Sequence, residues 1–155
     1  MIEIRLTQGK VALVDDDCPI HILEMKWHCS SFGYARHTIN YSNAKKEVVY
    51  LHRLIIDAKK GMQVDHINQD KLDNRKENLR LCNFSQNQAN TSHRKNKSGY
   101  RGVSLKKSGR YISLIRFDNK TIYLGLFPTA KEAAIAYNEA AVKYHGEFAN
   151  LNKID

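Results

Sequence analysis

Residues 64–90 read VDHINQDKLDNRKENLRLCNFSQNQAN, an aspartate–histidine pair followed by six asparagines in one short stretch. Asparagine favours neither helix nor strand interiors, so two readings compete: a turn-rich loop, or a site that needs amide oxygens. The local patterns narrow the choice. MQVDH (62–66) is an apolar-flanked run long enough for a short strand, and NQDKLDNRKE (68–77) is a loop. NLRLC (78–82) alternates well enough for a second strand, and SQNQAN (85–90) opens a short helix with Ser85 as its cap. Strand, loop, strand and helix bring the far ends of the stretch together. His66, Asn78 and Asn87, spaced 12 and 9 apart, are the functional candidates.

Outward from that stretch the chain divides. Residues 1–50 show short apolar runs, EIRL, KVALV and EVVYL, separated by turn-like TQG and DDDCP, which predicts a small β-rich lead-in. TSHRKNKSG (91–99) is polar, basic and free of apolar side chains, and reads as a linker: a solvated hinge, a phosphate-tracking segment through Arg94, Lys95 and Lys97, or both. YRGVSLK, RYISLIRF and TIYLGLF, separated by KSG and DNK, predict a three-stranded antiparallel meander. TAKEAAIAYNEAAVKYHG (129–146) then opens on a capping box, Thr129 with Glu132, and closes at Gly146. Ala133, Ala136, Tyr137, Ala140 and Tyr144 form the stripe that packs on the sheet. In the middle strand Tyr111, Ser113 and Ile115 face that helix. Ile112, Leu114 and Arg116 face the other way, a mixed apolar and basic surface in need of a partner.

The 155 residues allow one domain or two small ones, and 42% hydrophobic content allows a folded core. No apolar leader or membrane-length run is present, so the chain is expected to be soluble and cytoplasmic, with no membrane partner. Cys18, Cys29 and Cys82 are odd in number and scattered, which argues against a disulfide framework and a zinc ribbon. The net charge of +9 is unevenly placed. Residues 1–50 balance six basic against six acidic side chains, whereas residues 78–117 hold nine basic and no acidic ones. A segregated positive field suits a polyanion, foremost nucleic acid.

Two resemblances follow from these residues. YRGV (100–103), YLGLFPTAKEAAIAYNEAA (123–141) and HGEFANLN (145–152) resemble the plant APETALA/ethylene-response-factor DNA-binding domain along essentially its whole length. The resemblance implies an exposed sheet face lying in the major groove, with Arg101, Lys106, Arg116 and Tyr123 as DNA contacts; Arg110, from the same basic stretch, is a further candidate contact. Ser104, Ser108, Leu114 and Thr121 stand where the plant domains place arginine, tryptophan, glutamate and arginine, so the docking mode carries over and the base preference does not. LHRLI (51–55), VDHIN, DNRKENLRL and SQNQAN resemble the HNH nuclease family in its phage and bacterial homing-type branch, and LTQGKVALVDDD (6–17) is similar to what precedes them there. This second resemblance implies Asp65 and Asn87 as ligands of one divalent metal, His66 as general base, and Asn78 as the brace of the loop. His52 either stabilises the fold or touches phosphate; Arg53 and Arg80 are either surface charges or phosphate contacts.

The chemistry is coherent on its own terms. Phosphodiester hydrolysis needs a water deprotonated near neutral pH, which suits histidine, and a cation beside the pentavalent phosphorus. A carboxylate with an amide oxygen is a hard, incomplete shell that suits Mg2+ or Mn2+ better than zinc. The expected protein is therefore α+β. It has an HNH nuclease domain over 1–90 with its ββα-metal core at about 62–90, a linker over 91–99, and a sheet-plus-helix DNA-binding domain over 100–155. It acts on double-stranded DNA as a monomer or weak dimer. The alternative is a non-catalytic DNA-binding regulator that keeps the nuclease fold as a platform. RNA is disfavoured as a partner, because A-form duplexes hide the major groove.

Overall fold

Alternating aliphatic residues set the first elements of the fold. β1 (Ile2–Arg5) and β2 (Val11–Val14) pair antiparallel with Ile4 opposite Ala12, and Ile4, Ala12 and Val14 turn inward. The helical turn α1 (Ile20–Leu23) is followed by a second sheet of β3 (His28–Cys29), β4 (Ala35–Asn40) and β5 (Lys46–Tyr50), then by α2 (Leu51–Ile55). Trp27, Leu51, Ala35 and Ile22 join the β1–β2 residues in one core. The buried indole is satisfied by donating to the Ile22 carbonyl at 2.9 Å. The three apolar runs expected in this lead-in are present as β1, β2 and β5. β3, β4 and α1 escape the pattern: β3 has two residues, and β4 (ARHTIN) is half-buried with polar groups on both faces.

The computed structural model describes residues 1–91 and 96–154. They form two units, Met1–Asn83 and Phe84–Asp155. The first unit ends in an antiparallel hairpin of β6 (Gln63–His66) and β7 (Leu79–Cys82), in register Asp65 opposite Arg80 and His66 opposite Leu79. The connection, residues 67–75 and a single 3-10 turn at Lys76–Asn78, lies along the edge of β2. Leu13 N–H donates to the Leu72 carbonyl and Asn74 N–H donates to the Leu13 carbonyl, both at 2.8 Å. Asp15 and Asp17, from the acidic turn after β2, take the Lys76 N–H and ammonium.

The second unit begins with α3 (Phe84–Asn90), so this helix is described with the residues that follow it. Helix formation starts at Phe84, which puts Ser85 inside the first turn and corrects its expected place as the cap. β8 (Val103–Leu105), β9 (Tyr111–Phe117) and β10 (Lys120–Phe127) form the meander in the order β10-β9-β8. Asp118 and Asn119 make the two-residue turn between β9 and β10 with φ of 48° and 58°. Two successive positive φ values match the right-handed twist of the flanking strands, and Asp and Asn tolerate them. α4 (Ala130–His145) starts where the capping box requires, the Thr129 hydroxyl accepting from Glu132 N–H at 3.2 Å. Ala133, Ala134, Tyr137, Ala140 and Ala141 are its buried face, against Val103 and Ile115. Gly102 is required by that packing: a Cβ there would sit 2.1 Å from the Tyr137 ring. Ser113 and Ile115 point to the helix and Arg116 outward, as the alternation predicts. The fold is α+β, with a three-stranded sheet packed on the last helix.

Candidate active site

Asp65 and His66 occupy the last two positions of β6, and both are buried, at 5% and 4% exposure. Strand register decides the surroundings of Asp65. Arg80 is its cross-strand partner, and the guanidinium Nε and Nη2 both donate to Asp65 Oδ2, at 2.9 and 2.8 Å. Arg80 is thereby neither a surface charge nor a free phosphate contact. It fixes the carboxylate through one oxygen.

His66 is enclosed by side chains distant in sequence. Tyr34 from the β3–β4 turn and His52 from α2 stand with ring centroids 5.8 and 5.2 Å away. Asn74 is fully buried; its Nδ2 donates to the Leu72 carbonyl at 2.9 Å, so its oxygen faces His66 Nε2 at 3.4 Å. An amide oxygen only accepts, which makes Nε2 the protonated nitrogen and leaves the imidazole lone pair on Nδ1. Burial pushes the His66 pKa below the ordinary 6.5, against the opposing pull of Asn74 and the nearby carboxylates. The ring is neutral at pH 7 and able to take a proton.

The asparagines of residues 68–78 are mostly struts. Asn78 is buried, accepts from Asn68 N–H at 2.9 Å and donates to the Asp73 carbonyl at 2.7 Å, closing the loop on itself. Asn68 donates to Asp73 and accepts from Asp70 N–H. Arg75 clamps Asp73 through Nε and Nη2, both at 2.8 Å, and this pairing holds the Asp73 pKa below the usual carboxylate value. Asn74 ties the loop to β2 and faces the histidine. The turn-rich reading of the asparagine-rich stretch thus holds for this loop. Tyr34 and Asn74 left no signal of their own, since neither belongs to a recognisable spacing.

His52 is packed, 8% exposed, between Tyr34 and Tyr50, and its Nδ1 has no hydrogen-bond partner among the described residues. Burial lowers its pKa to about 3, so it stays neutral and serves the core. The unfolded chain binds this proton below about pH 6.5 and the native chain does not. Stability should therefore fall as the pH drops from about 6.5 toward 5, at up to about 1.4 kcal/mol per pH unit from this group. His66 acts in the same direction. Urea titrations over that window should show the slope, and His52→Gln should flatten it; an unchanged slope would mean that His52 is not buried neutral. Arg53 is likewise structural, donating to the carbonyls of Ala58, Lys59 and Met62.

The remaining candidates belong to the second unit. Asn87 lies on α3. Arg101 folds onto α3, its Nη2 donating to the Gln88 carbonyl at 3.0 Å and its Nη1 to the Thr91 carbonyl. Arg110 donates to the Leu126 carbonyl at 2.9 Å. Lys97 and Lys106 are exposed in turns, and Arg116 and Tyr123 are exposed on the sheet face opposite α4. Arg94 and Lys95 lie outside the described residues. No helix among the described residues is long and apolar enough to cross a membrane.

For a metal, the donor chemistry around Asp65 is oxygen. Among the described residues no group of three or more His, Cys, Asp and Glu side chains is placed to hold an ion. A carboxylate beside an imidazole fits a hard, partly hydrated divalent cation and not a thiolate or histidine cage.

Comparison with known proteins agrees with this geometry. A family model described as HNH endonuclease matches residues 49–89, which span α2, the hairpin and most of α3. The chain is 35% identical over 152 residues to an uncharacterized HNH endonuclease, L560, of Acanthamoeba polyphaga mimivirus, covering 96% of this chain and 78% of that protein. A C-terminal segment is similar to plant proteins. It is 47% identical over 55 residues to dehydration-responsive element-binding protein 2E of rice, and 47% over 60 residues to an AP2-like ethylene-responsive transcription factor of Arabidopsis thaliana. Those matches cover 34% and 38% of this chain, and 17% and 12% of the plant proteins. With a matched motif, a relative aligned over 96% of this chain and the buried Asp65–His66 pair, this chain belongs to the HNH endonuclease family.

Proposed function

We propose that this endonuclease hydrolyses phosphodiester bonds of duplex DNA, with His66 as general base and one Mg2+ or Mn2+ ion at Asp65. The observation that carries the reading is the buried His66, its Nε2 facing the Asn74 oxygen and its pKa lowered by burial. Nδ1 takes a proton from water as the water oxygen attacks phosphorus in line with the departing O3′. The P–O3′ bond breaks and the departing O3′ takes a proton from solvent water, giving 5′-phosphate and 3′-hydroxyl ends. The residues that would hold the ion are Asp65, through its carboxylate, and Asn87, through its amide oxygen. When bound, the ion supplies positive charge to the crowded phosphorus and the leaving oxygen. Asn78 holds the loop, and through it Asn74 holds the imidazole.

The sheet face opposite α4, with Leu114, Arg116, Thr121 and Tyr123, supports docking in the major groove, as does the likeness to plant transcription factors. One active site per chain cuts one strand, so a monomer nicks, in the manner of a homing-type enzyme. Supercoiled plasmid incubated with the protein and Mg2+ or Mn2+ should become open circles, and a chelator should stop the reaction. Cleavage undiminished in EDTA would overturn the mechanism; activity restored by zinc alone would reassign the metal. Binding without nicking under every metal condition would favour a non-catalytic regulator.

A further inference from the structure

α3 is seven residues long, too short to be stable by itself. Its C-terminal carbonyls depend on side chains far along the sequence. Arg101 Nη2 donates to the Gln88 carbonyl at 3.0 Å, and Arg101 Nη1 to that of Thr91. Asn150 Nδ2 donates to the carbonyls of Asn90 and Thr91 at 3.3 and 3.2 Å. Locally, the Thr91 hydroxyl donates to the Asn87 carbonyl at 3.1 Å. Ala89 and Asn90 are buried, and the 3-10 turn Gly146–Phe148 packs on the helix. A guanidinium at this end also opposes the negative pole of the helix dipole. Arg101 lines a cleft of about 460 Å3 between α3 and the sheet, together with Gln88, Leu114, Arg116 and His145.

We infer that Arg101 is a positioning residue for the nuclease reaction and not a reader of bases: with Asn150 it holds α3, and so the side chain of Asn87. The inference rests on the reading of Asn87 as a metal ligand. A guanidinium spread over the Gln88 carbonyl of α3 and the Thr91 carbonyl just after it is not at the same time a fork for guanine, so the arginine of YRGV does different work here from the DNA contact its resemblance implies. The C-terminal sequence then contributes to catalysis as well as to affinity.

The test uses the full chain with Arg101→Gln, Arg101→Lys and Asn87→Ala. Three quantities are read: hydrogen exchange of the α3 amides, binding of Mn2+ alone to DNA-free protein by electron paramagnetic resonance, and kcat and KM for plasmid nicking. In Arg101→Gln the α3 amides should exchange faster. Mn2+ affinity and kcat should each fall roughly 10–100-fold, the usual cost of losing support behind a metal ligand, while KM holds. Lysine should restore only part, because one ammonium does not reproduce a planar fork. A raised KM with kcat kept would make Arg101 a DNA contact and overturn the inference, as would unaltered α3 exchange. If Asn87→Ala leaves Mn2+ binding and kcat intact, the ligand reading fails and the catalytic part of the inference with it. The exchange data then still tell whether Arg101 holds the helix, which keeps the two failures apart.

Discussion

His66→Ala should lower the nicking rate by roughly 10²–10⁴-fold while leaving DNA affinity near that of the unaltered chain, since general-base catalysis contributes about that much. The imidazole is 4% exposed and enclosed by Tyr34, His52 and Asn74, so it contributes little contact area to a duplex. Single-turnover nicking beside a filter-binding titration separates the two effects. Nicking at the unaltered rate would remove His66 from the mechanism. The pH profile gives an independent check. The base must be neutral to act, and burial holds its pKa below 6.5, so the rate should rise with pH through a midpoint below that of an ordinary histidine. A midpoint above 6.5 would mean that a different group supplies the base.

Asp65→Ala should do two things at once. It removes the carboxylate proposed to hold the metal, and it strips Arg80, whose side chain is 14% exposed, of its ion-pair partner. Breaking one side of a buried pair typically costs about 3–5 kcal/mol, because the surviving charge stays desolvated. The variant should therefore be inactive and markedly less stable to urea. Adding Arg80→Leu should recover much of the stability and none of the cleavage, since the charge is gone and the ligand is still missing. Asp65→Asn keeps an acceptor opposite Arg80 and should lose activity with a smaller loss of stability. Equal stability of Asp65→Ala and the unaltered chain would show that the pair contributes nothing to the fold.

What the sequence makes legible here is what neighbours along the chain decide between themselves. The Thr129–Glu132 cap and the Asp118–Asn119 turn are local and stand where the sequence puts them, as do Ala133, Tyr137 and Ala140 of the α4 stripe, whereas Ala134 and Ala141 are buried in place of the half-buried Ala136 and Tyr144. The inward placing of Ser113 and Ile115 follows from alternation alone. The Asp65–Arg80 pair depends on which register β6 and β7 adopt, and fifteen residues separate the partners. The wall around His66 comes from Tyr34, His52 and Asn74, three segments that no periodicity links. The support of α3 by Arg101 and Asn150 reaches across as many as 60 residues. Long-range hydrogen bonds leave no rhythm in a single sequence, and for that reason the scaffolding around His66 and α3 is not legible in it.

The clasp of Leu13 on the loop between Leu72 and Asn74 bears on how such a nuclease can be inherited. The stretch recognised as HNH begins at residue 49, yet the loop that faces its histidine is fastened by a strand that ends at Val14. A recombination event that carried only the recognisable stretch into another gene would deliver Asp65 and His66 without the β2 edge that holds Asn74 in place. Selection would then favour exchange of longer blocks, with the lead-in travelling alongside the motif. The portable unit of this enzyme is larger than its signature.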